Sequence, residues 1–383
     1  MDLQEGETEG VPLTRKAALC CSLLVAAVTL SGCFDQTNIE DVTLALIVGM
    51  DVDDKGRITV YESSPVFNRE AKDKEEEFEV KAFTLRHSRD RFDSMVMGLT
   101  TASKTHAILV SKRFMEQPDW TRYLDPFLRD AKNSVTSFVL AVDGPVSDII
   151  KYSPKDKPRL PLYLTKLLQT ATRRNVSIDT KLREFHRQMV EPGITPSITE
   201  IKINKILEIA GTALLDEKGA YKLTIDSQQN KLLQMMQHRT DGDFSLTLSA
   251  PPSLAGTDSE MNKFSFSVQR MKVKTKARYD QTFVFDIDVK MTVGISEKLF
   301  PFDLRKNYKK LEKDLNKQLQ SQFNSLVRKI QKARIDPIGL GLYARAYAYP
   351  EWKKVQDRWG EALSESVVNV KVTTQIAAMG TIK

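Results

Sequence analysis

The chain has 383 residues, with 57 Lys and Arg against 50 Asp and Glu for a net charge of +7. Its three cysteines, Cys20, Cys21 and Cys33, all fall at the start, which excludes an internal disulfide or a cysteine metal site in the remainder. Removing residues 1–32 leaves a surplus of about nine positive charges. That surplus favours an anionic surface such as phospholipid, with scattered solvated charge as the plainer alternative; nucleic acid fits poorly, because aromatic–basic interleaving is missing.

Arg15 and Lys16 precede an apolar stretch, Ala17–Leu30, which is too short to cross a bilayer comfortably as a permanent helix. It closes on Leu30-Ser31-Gly32-Cys33. Small residues before a cysteine admit a peptidase, and this box is a specific signal of a bacterial lipoprotein. Cleavage after Gly32 would leave Cys33 to carry an S-diacylglycerol thioether, with N-acylation (a palmitate, for example) left open. An ordinary secretory signal with a chance cysteine is the plainer reading. The head, with Asp2, Glu5, Glu7 and Glu9, is long and acidic for such a leader, as a misassigned start codon would make it.

After a short tether, Val42–Asp51 and Arg57–Val66 read as a hairpin around Asp53-Asp54-Lys55-Gly56. Asn68–Glu77 reads as a charged loop and Phe78–Thr84 as a third strand. A helix is expected over Arg89–Thr101, a strand over Ala107–Ser111, a helix over Asp119–Arg129 and a strand over Val135–Val142. Strands alternating with helices make residues 33–152 an N-terminal α/β domain. Ser153–Pro161 is a proline-rich linker; helices at Leu162–Asn175 and Thr180–Val190 make 153–196 a small helical domain.

Residues 197–383 read as a third, α/β domain. Ile201–Leu215 and Ala220–Ile225 look like paired strands, and Asp226 can cap a helix over Ser227–His238. Strict alternation marks Gln281–Val293 as a half-exposed strand. Between Val268 and Met271 the apolar parity slips by one. Either a bulge restores burial, or Arg270, Lys272, Lys274 and Lys276 form an exposed basic stripe. Apolar residues stepping by three or four over 304–335 predict one long amphipathic helix packed on a sheet. Shorter helices and a final alternating strand, Ser366–Ile376, close the chain. The expected class is α+β (mixed α/β), three domains with mixed and antiparallel sheets.

Nothing in this pattern points to catalysis, so no catalytic residue, cofactor or metal ligand is assigned and no enzyme is expected. His87, His106, His186 and His238 lack metal-ligand spacing. His106 suits a buried, hydrogen-bonded role better than a catalytic one. Asp286 and Asp288, two apart beside Lys290, read as solvated charge. Tyr343, Tyr347, Trp352 and Trp359 suggest either a partner patch or, more simply, satellite packing.

Several stretches together resemble the Ger(x)C family, the lipoprotein C subunits of the nutrient germinant receptors of endospores. They are Leu30–Asp35, Ile39–Asp51 ending in Gly-x-Asp, Thr105–Val110, and Ile209-Ala-Gly-Thr-Ala-Leu214. The most specific is Asp336-Pro-Ile-Gly-Leu-Gly341 followed by Tyr349-Pro-Glu-Trp-Lys-Lys354 and Trp359. Phe34 departs from the tryptophan common there. The resemblance implies a three-domain lipoprotein required for spore germination, on the outer face of the spore inner membrane. It would act by contact with integral-membrane receptor subunits. A solute-binding lipoprotein of an envelope transporter is the alternative, and would need two alike lobes around a cleft. A lipid-anchored hydrolase would need His106 or His186 to converge with a serine and a carboxylate; an envelope scaffold is the plainest rival.

Overall fold

A computed structural model describes residues 13–29, 38–239, 241–250, 262–299 and 304–378. Residues 1–42 form one unit and residues 43–383 another. In the first, helix α1 (Leu13–Thr29) carries exposed Cys20 and Cys21. Gly32 and Cys33 lie outside the described residues.

The following elements are β1 (Val42–Leu44), β2 (Ile47–Val52), β3 (Ile58–Pro65), β4 (Glu75–Ala82), α2 (Leu85–Asp93), β5 (Leu99–Thr101) and β6 (Ala107–Ser111). Then come α3 (Lys112–Met115), a 3-10 turn at Trp120–Leu124, α4 (Asp125–Arg129), β7 (Phe138–Val142), α5 (Val146–Ile150), α6 (Leu160–Arg173) and α7 (Leu182–Val190). Strands β8 (Ser197–Asn204), β9 (Ile206–Leu215) and β10 (Tyr221–Ile225) complete an eight-stranded sheet of order β10-β9-β8-β7-β6-β2-β3-β4. Its centre is parallel (β2, β6, β7, β8) and its flanks are antiparallel.

Both faces of this sheet are covered. Val48, Met50, Ile108, Val110, Val139 and Ala141 meet Phe92, Phe114, Trp120 and Phe185 on one side. Ile47, Leu109, Leu140 and Val142 meet Val146, Ile149, Leu160 and Leu164 on the other. The central strands therefore read as unbroken apolar runs. Hydrogen bonding continues from β7 into β8, and the helices of 153–196 lie on the sheet's faces. The expected breaks at residues 152 and 196 are thus not breaks in the sheet or its cores.

Helix α8 (Ser227–Met236) starts at a capping box made by Asp226 and Gln229. Strands β11 (Ser245–Ser249), β12 (Lys263–Asp280) and β13 (Thr282–Lys298) lead to α9 (Leu304–Lys332). After it stand α10 (Leu340–Tyr347), α11 (Tyr349–Lys353), α12 (Trp359–Ser364) and β14 (Val367–Ala378). A second sheet of order β11-β12-β13-β14 results, with β13 and β14 parallel. Among the described residues, the long helix packs on one of its faces. Phe285, Ile287, Val289 and Val293 pack there against Leu311, Leu315, Leu319, Phe323 and Leu326 of the long helix.

Local expectations and structure part at four places. The helix expected over 89–101 covers Leu85–Asp93, because the Thr84 hydroxyl accepts the His87 amide at 3.1 Å and caps it early. Leu99–Thr101 instead pairs as β5 with β1. Glu75–Glu77, expected in a loop, opens β4 opposite Ser63–Pro65. Ile201–Leu215 is two strands, reversing at Lys205 with φ of 63°. Asp119–Arg129 begins as a 3-10 turn and becomes helical only at Asp125, with Pro126 in its first turn.

The parity slip in β12 has both proposed consequences. The register shifts between Val268 and Arg270, which returns Met271 and Val273 to the core side. Arg270, Lys272, Lys274 and Lys276 then face outward as an exposed row.

Candidate functional site

In a parallel sheet flanked by helices, polar groups gather where the strands end, and here they do so at Asp51. Asp51 closes β2 at 1% exposure. It accepts Ser111 Oγ at 2.6 Å, Arg113 Nε at 2.7 Å, and the Val52 and Val146 amides at 2.8 and 3.1 Å. Burial pushes its carboxyl up, but Arg113, Ser111 and the two amides outweigh this and hold it below the usual range. Gly49, two residues earlier, is required by the same helix: a Cβ there would meet Val146 Cγ1 at 2.5 Å. The Gly-x-Asp segment thus seats the first turn of α5 on the sheet. Next to it Lys112 Nζ bridges Asp143 at 3.0 Å and Glu200 at 2.9 Å, while the Thr224 hydroxyl donates to Glu200. Every charge here is answered internally, so the cluster is a lock between strand ends.

A second lock explains the Asp336–Trp359 stretch. Asp336 is fully buried and accepts the Gly339 and Gly341 amides and Trp359 Nε1, each at 2.8 Å. Burial pushes this carboxyl up, against the pull of the Trp359 and glycine donors. Its backbone pairs with Thr195: Thr195 N donates to Asp336 O at 2.8 Å, and Asp336 N to Thr195 Oγ1 at 3.0 Å. Gly341 lies so close to Gly193 that a Cβ on it would sit 2.4 Å from Gly193 Cα. Trp352 and Trp359 are core residues, with Trp359 edge-on to Phe283 at 5.3 Å. Of the four aromatic residues, only Tyr347 is strongly exposed. Gly211 is similarly tight, since a Cβ would meet Ile225 O at 2.4 Å, and buried Thr212 donates to Asn230 Oδ1 at 2.9 Å.

Two of the cavities are lined in part by strands of the eight-stranded sheet. Under α2, a cavity of about 70 Å³ is lined by Val60, Phe92, Glu62, Ser88, Thr100 and Arg89. Glu62 is 1% exposed and, among the described residues, its carboxylate accepts Ser64 Oγ at 2.8 Å. Burial raises its carboxyl to about 7. Thr100 Oγ1 is buried without a partner. Sequence reading passed over Glu62, because its neighbours Tyr61 and Ser63 gave no sign that both faces of β3 are covered. The other cavity is a polar cleft of about 640 Å³ where β6 and β7 begin, lined by Lys104, His106, Arg173, Asp179 and Lys181.

His106 is half-buried, with Nδ1 3.1 Å from Thr165 Oγ1, and burial lowers its pKa. The Thr165 hydroxyl itself donates to Pro161 O at 2.8 Å. His238 Nε2 meets Thr275 Oγ1 at 3.0 Å and Tyr343 Oη at 3.1 Å. Among the described residues no histidine hydrogen-bonds a carboxylate, and no group of three His, Cys, Asp or Glu residues could hold a metal ion. Asp286 pairs with Arg278 and accepts Asn369 Nδ2 at 2.9 Å, on the open face. No helix among the described residues is long and apolar enough to cross a membrane.

Comparison with known proteins gives this architecture its family. Residues 35–203 match the spore germination protein N-terminal domain, and residues 210–380 match the spore germination B3/GerAC-like C-terminal domain. The chain is 24% identical to spore germination protein KC of Bacillus subtilis (strain 168) over 412 aligned residues, covering 96% of this chain and 97% of that one. It is 24% identical to spore germination protein B3 of the same organism over 283 residues, covering 72% and 73%. The crystal structure of the GerBC protein shares the fold, with a TM-score of 0.53 and 15% identity over 86% of this chain and 96% of that one. With both family domains in order along nearly its whole length, the chain belongs to the Ger(x)C family of spore germination receptor C subunits.

Proposed function

We propose that this protein is a membrane-anchored lipoprotein subunit of a nutrient germinant receptor, acting through contacts with integral-membrane subunits and not through catalysis. The observation that carries the reading is the Leu30-Ser31-Gly32-Cys33 box at the head of a chain of this family. Cleavage after Gly32 frees Cys33 to take a diacylglyceryl thioether. Each buried methylene contributes roughly 0.8 kcal/mol, so two chains hold the protein where one would not. On the outer face of the spore inner membrane, confinement raises the effective concentration of the body near membrane partners, and weak contacts suffice. The interlocked polar clusters support a role in contact: Asp51, Lys112 and Asp336 are all occupied in holding the fold. The solute-binding alternative lacks support, since the two sheets differ in strand number and topology.

Replacing Cys33 by Ala is the test. Spores carrying Cys33→Ala should lose the protein from the inner-membrane fraction and germinate poorly with nutrients. Mass spectrometry of the natural protein should find a lipid-modified first residue. An unmodified cysteine, or unchanged fractionation of the variant, removes the anchor.

A further inference from the structure

The body has an unusual surface where its first strand residues pair. Thr43 donates its hydroxyl to Gly98 O at 3.2 Å, and Ala45 N donates to Thr101 O at 2.9 Å. The partner loop exposes Met95 by 50%, Met97 by 90% and Leu99 by 60%. Three large apolar side chains within five residues differ from the single exposed ones that any surface carries. The loop is also fixed: Met95 and Val96 amides bond to Phe92 O at 2.7 and 3.1 Å, and Thr100 N donates to Asp93 Oδ1 at 2.7 Å. Phe67, also exposed, leaves the sheet at the same end, since Ile47 at the start of β2 pairs with Ser63. At that end too, where β6 and β7 begin, the 640 Å³ cleft presents Lys104, Arg173 and Lys181 against the single acid Asp179.

We infer that at this end of the eight-stranded sheet the Met95–Leu99 loop and the cationic cleft, and not the acidic β4 edge at Glu75–Glu77, rest on an anionic phospholipid bilayer, with Met95, Met97 and Leu99 entering the headgroup layer. The inference rests on the lipid-anchor reading. Thr43 follows Cys33 by ten positions in sequence, a reach of at most about 35 Å, so an anchor at Cys33 would keep this end of the sheet within that distance of the lipid. Apolar insertion flanked by cationic side chains is how peripheral proteins hold an anionic interface.

The mature body lacks cysteine, so an introduced thiol is the only free one in the lipidated protein. An environment-sensitive fluorophore is placed at Met97→Cys or at Asp54→Cys. Asp54 lies in the turn at the far end of β2, about 20 Å of strand away. Each lipoprotein, taken from native membranes, is reconstituted into phosphatidylglycerol–phosphatidylethanolamine vesicles containing a headgroup-depth quencher. The expected result is flotation of both proteins and quenching at least about threefold stronger at 97 than at 54. Flotation with equal quenching overturns the docking and leaves the anchor standing. So does protection at 97 that needs the membrane subunits, which would make the loop a protein contact. Failure to float removes anchor and docking together.

Discussion

The two sheets treat charge in opposite ways. In the eight-stranded sheet, helices cover both faces, so Asp51, Glu62 and Glu200 stand at most 2% exposed and each needs a protein partner. In the four-stranded sheet, α9 covers one face and, among the described residues, the other is open, so Lys272, Lys274 and Lys290 are exposed with water to solvate them. Removing a charged group from the first should be expensive and pH-dependent; from the second, cheap and salt-dependent.

The largest effect is expected at Asp51. Asp51→Ala leaves Ser111 and the Val52 and Val146 amides without their acceptor and Arg113 with only the more distant Asp54, 3.6 Å away. Denaturant unfolding should show a loss of roughly 3–5 kcal/mol, whereas Asp286→Ala on the open face should cost below about 1 kcal/mol. Equal losses would erase the contrast. The pH dependence has a definite sign. A carboxyl held below its unfolded value stabilises above the unfolded pKa and loses that contribution as pH falls through the folded one. Asp51→Ala should therefore flatten the acid limb of the stability curve.

Glu62 has the opposite sign and a somewhat smaller effect. Its folded value, about 7, lies above the ordinary 4.5, so the folded state holds the proton longer than the unfolded chain. Stability should fall as pH rises from about 4.5 to about 7 and then level off, by roughly 3 kcal/mol in total. Glu62→Gln keeps the shape and removes the titration. The variant should match the parent at pH 4.5 and exceed it at pH 8 in thermal unfolding. A parent whose stability does not change over that interval would mean that water reaches Glu62 through its cavity.

The same contrast explains what was legible beforehand. Period-two alternation survives where one face is solvated, so Gln281–Val293 and Ser366–Ile376 announced their strands, and the parity slip at Val268 announced a bulge. In the doubly covered sheet, alternation is erased. Ala107–Ser111 reads as a strand only because it is short and apolar, and no pattern in 197–225 shows that it joins strands from residues 47–142. The glycines at 49, 211 and 341 were visible as motif letters, but what demands them is a neighbour distant in sequence: Val146, Ile225 and Gly193. Glu62 stayed hidden because nothing within β3 shows that it is buried, and Asp336, though visible as a motif letter, gave no sign of full burial. The Leu30-Ser31-Gly32-Cys33 box, proposed above as an anchor, is read without any tertiary partner, which is why residues alone point to it.

The smallest effect belongs on the open face, where Lys272 stands directly across from Lys290 in the β12–β13 ladder. Neighbouring pairs there are balanced, Lys274 against Asp288 and Lys276 against Asp286. Like charges opposite one another repel, and an opposite pair stabilises by roughly 0.2–1 kcal/mol. Lys290→Glu should therefore raise the urea midpoint slightly, with Lys290→Ala in between. Because both side chains are solvated, the gain should vanish near 1 M salt, where the screening length falls to about 3 Å. A gain that persisted in high salt, or a loss above about 1 kcal/mol, would show that this face has a buried character like that of the other sheet. The distinction between two covered faces and one would then fail at its most exposed point.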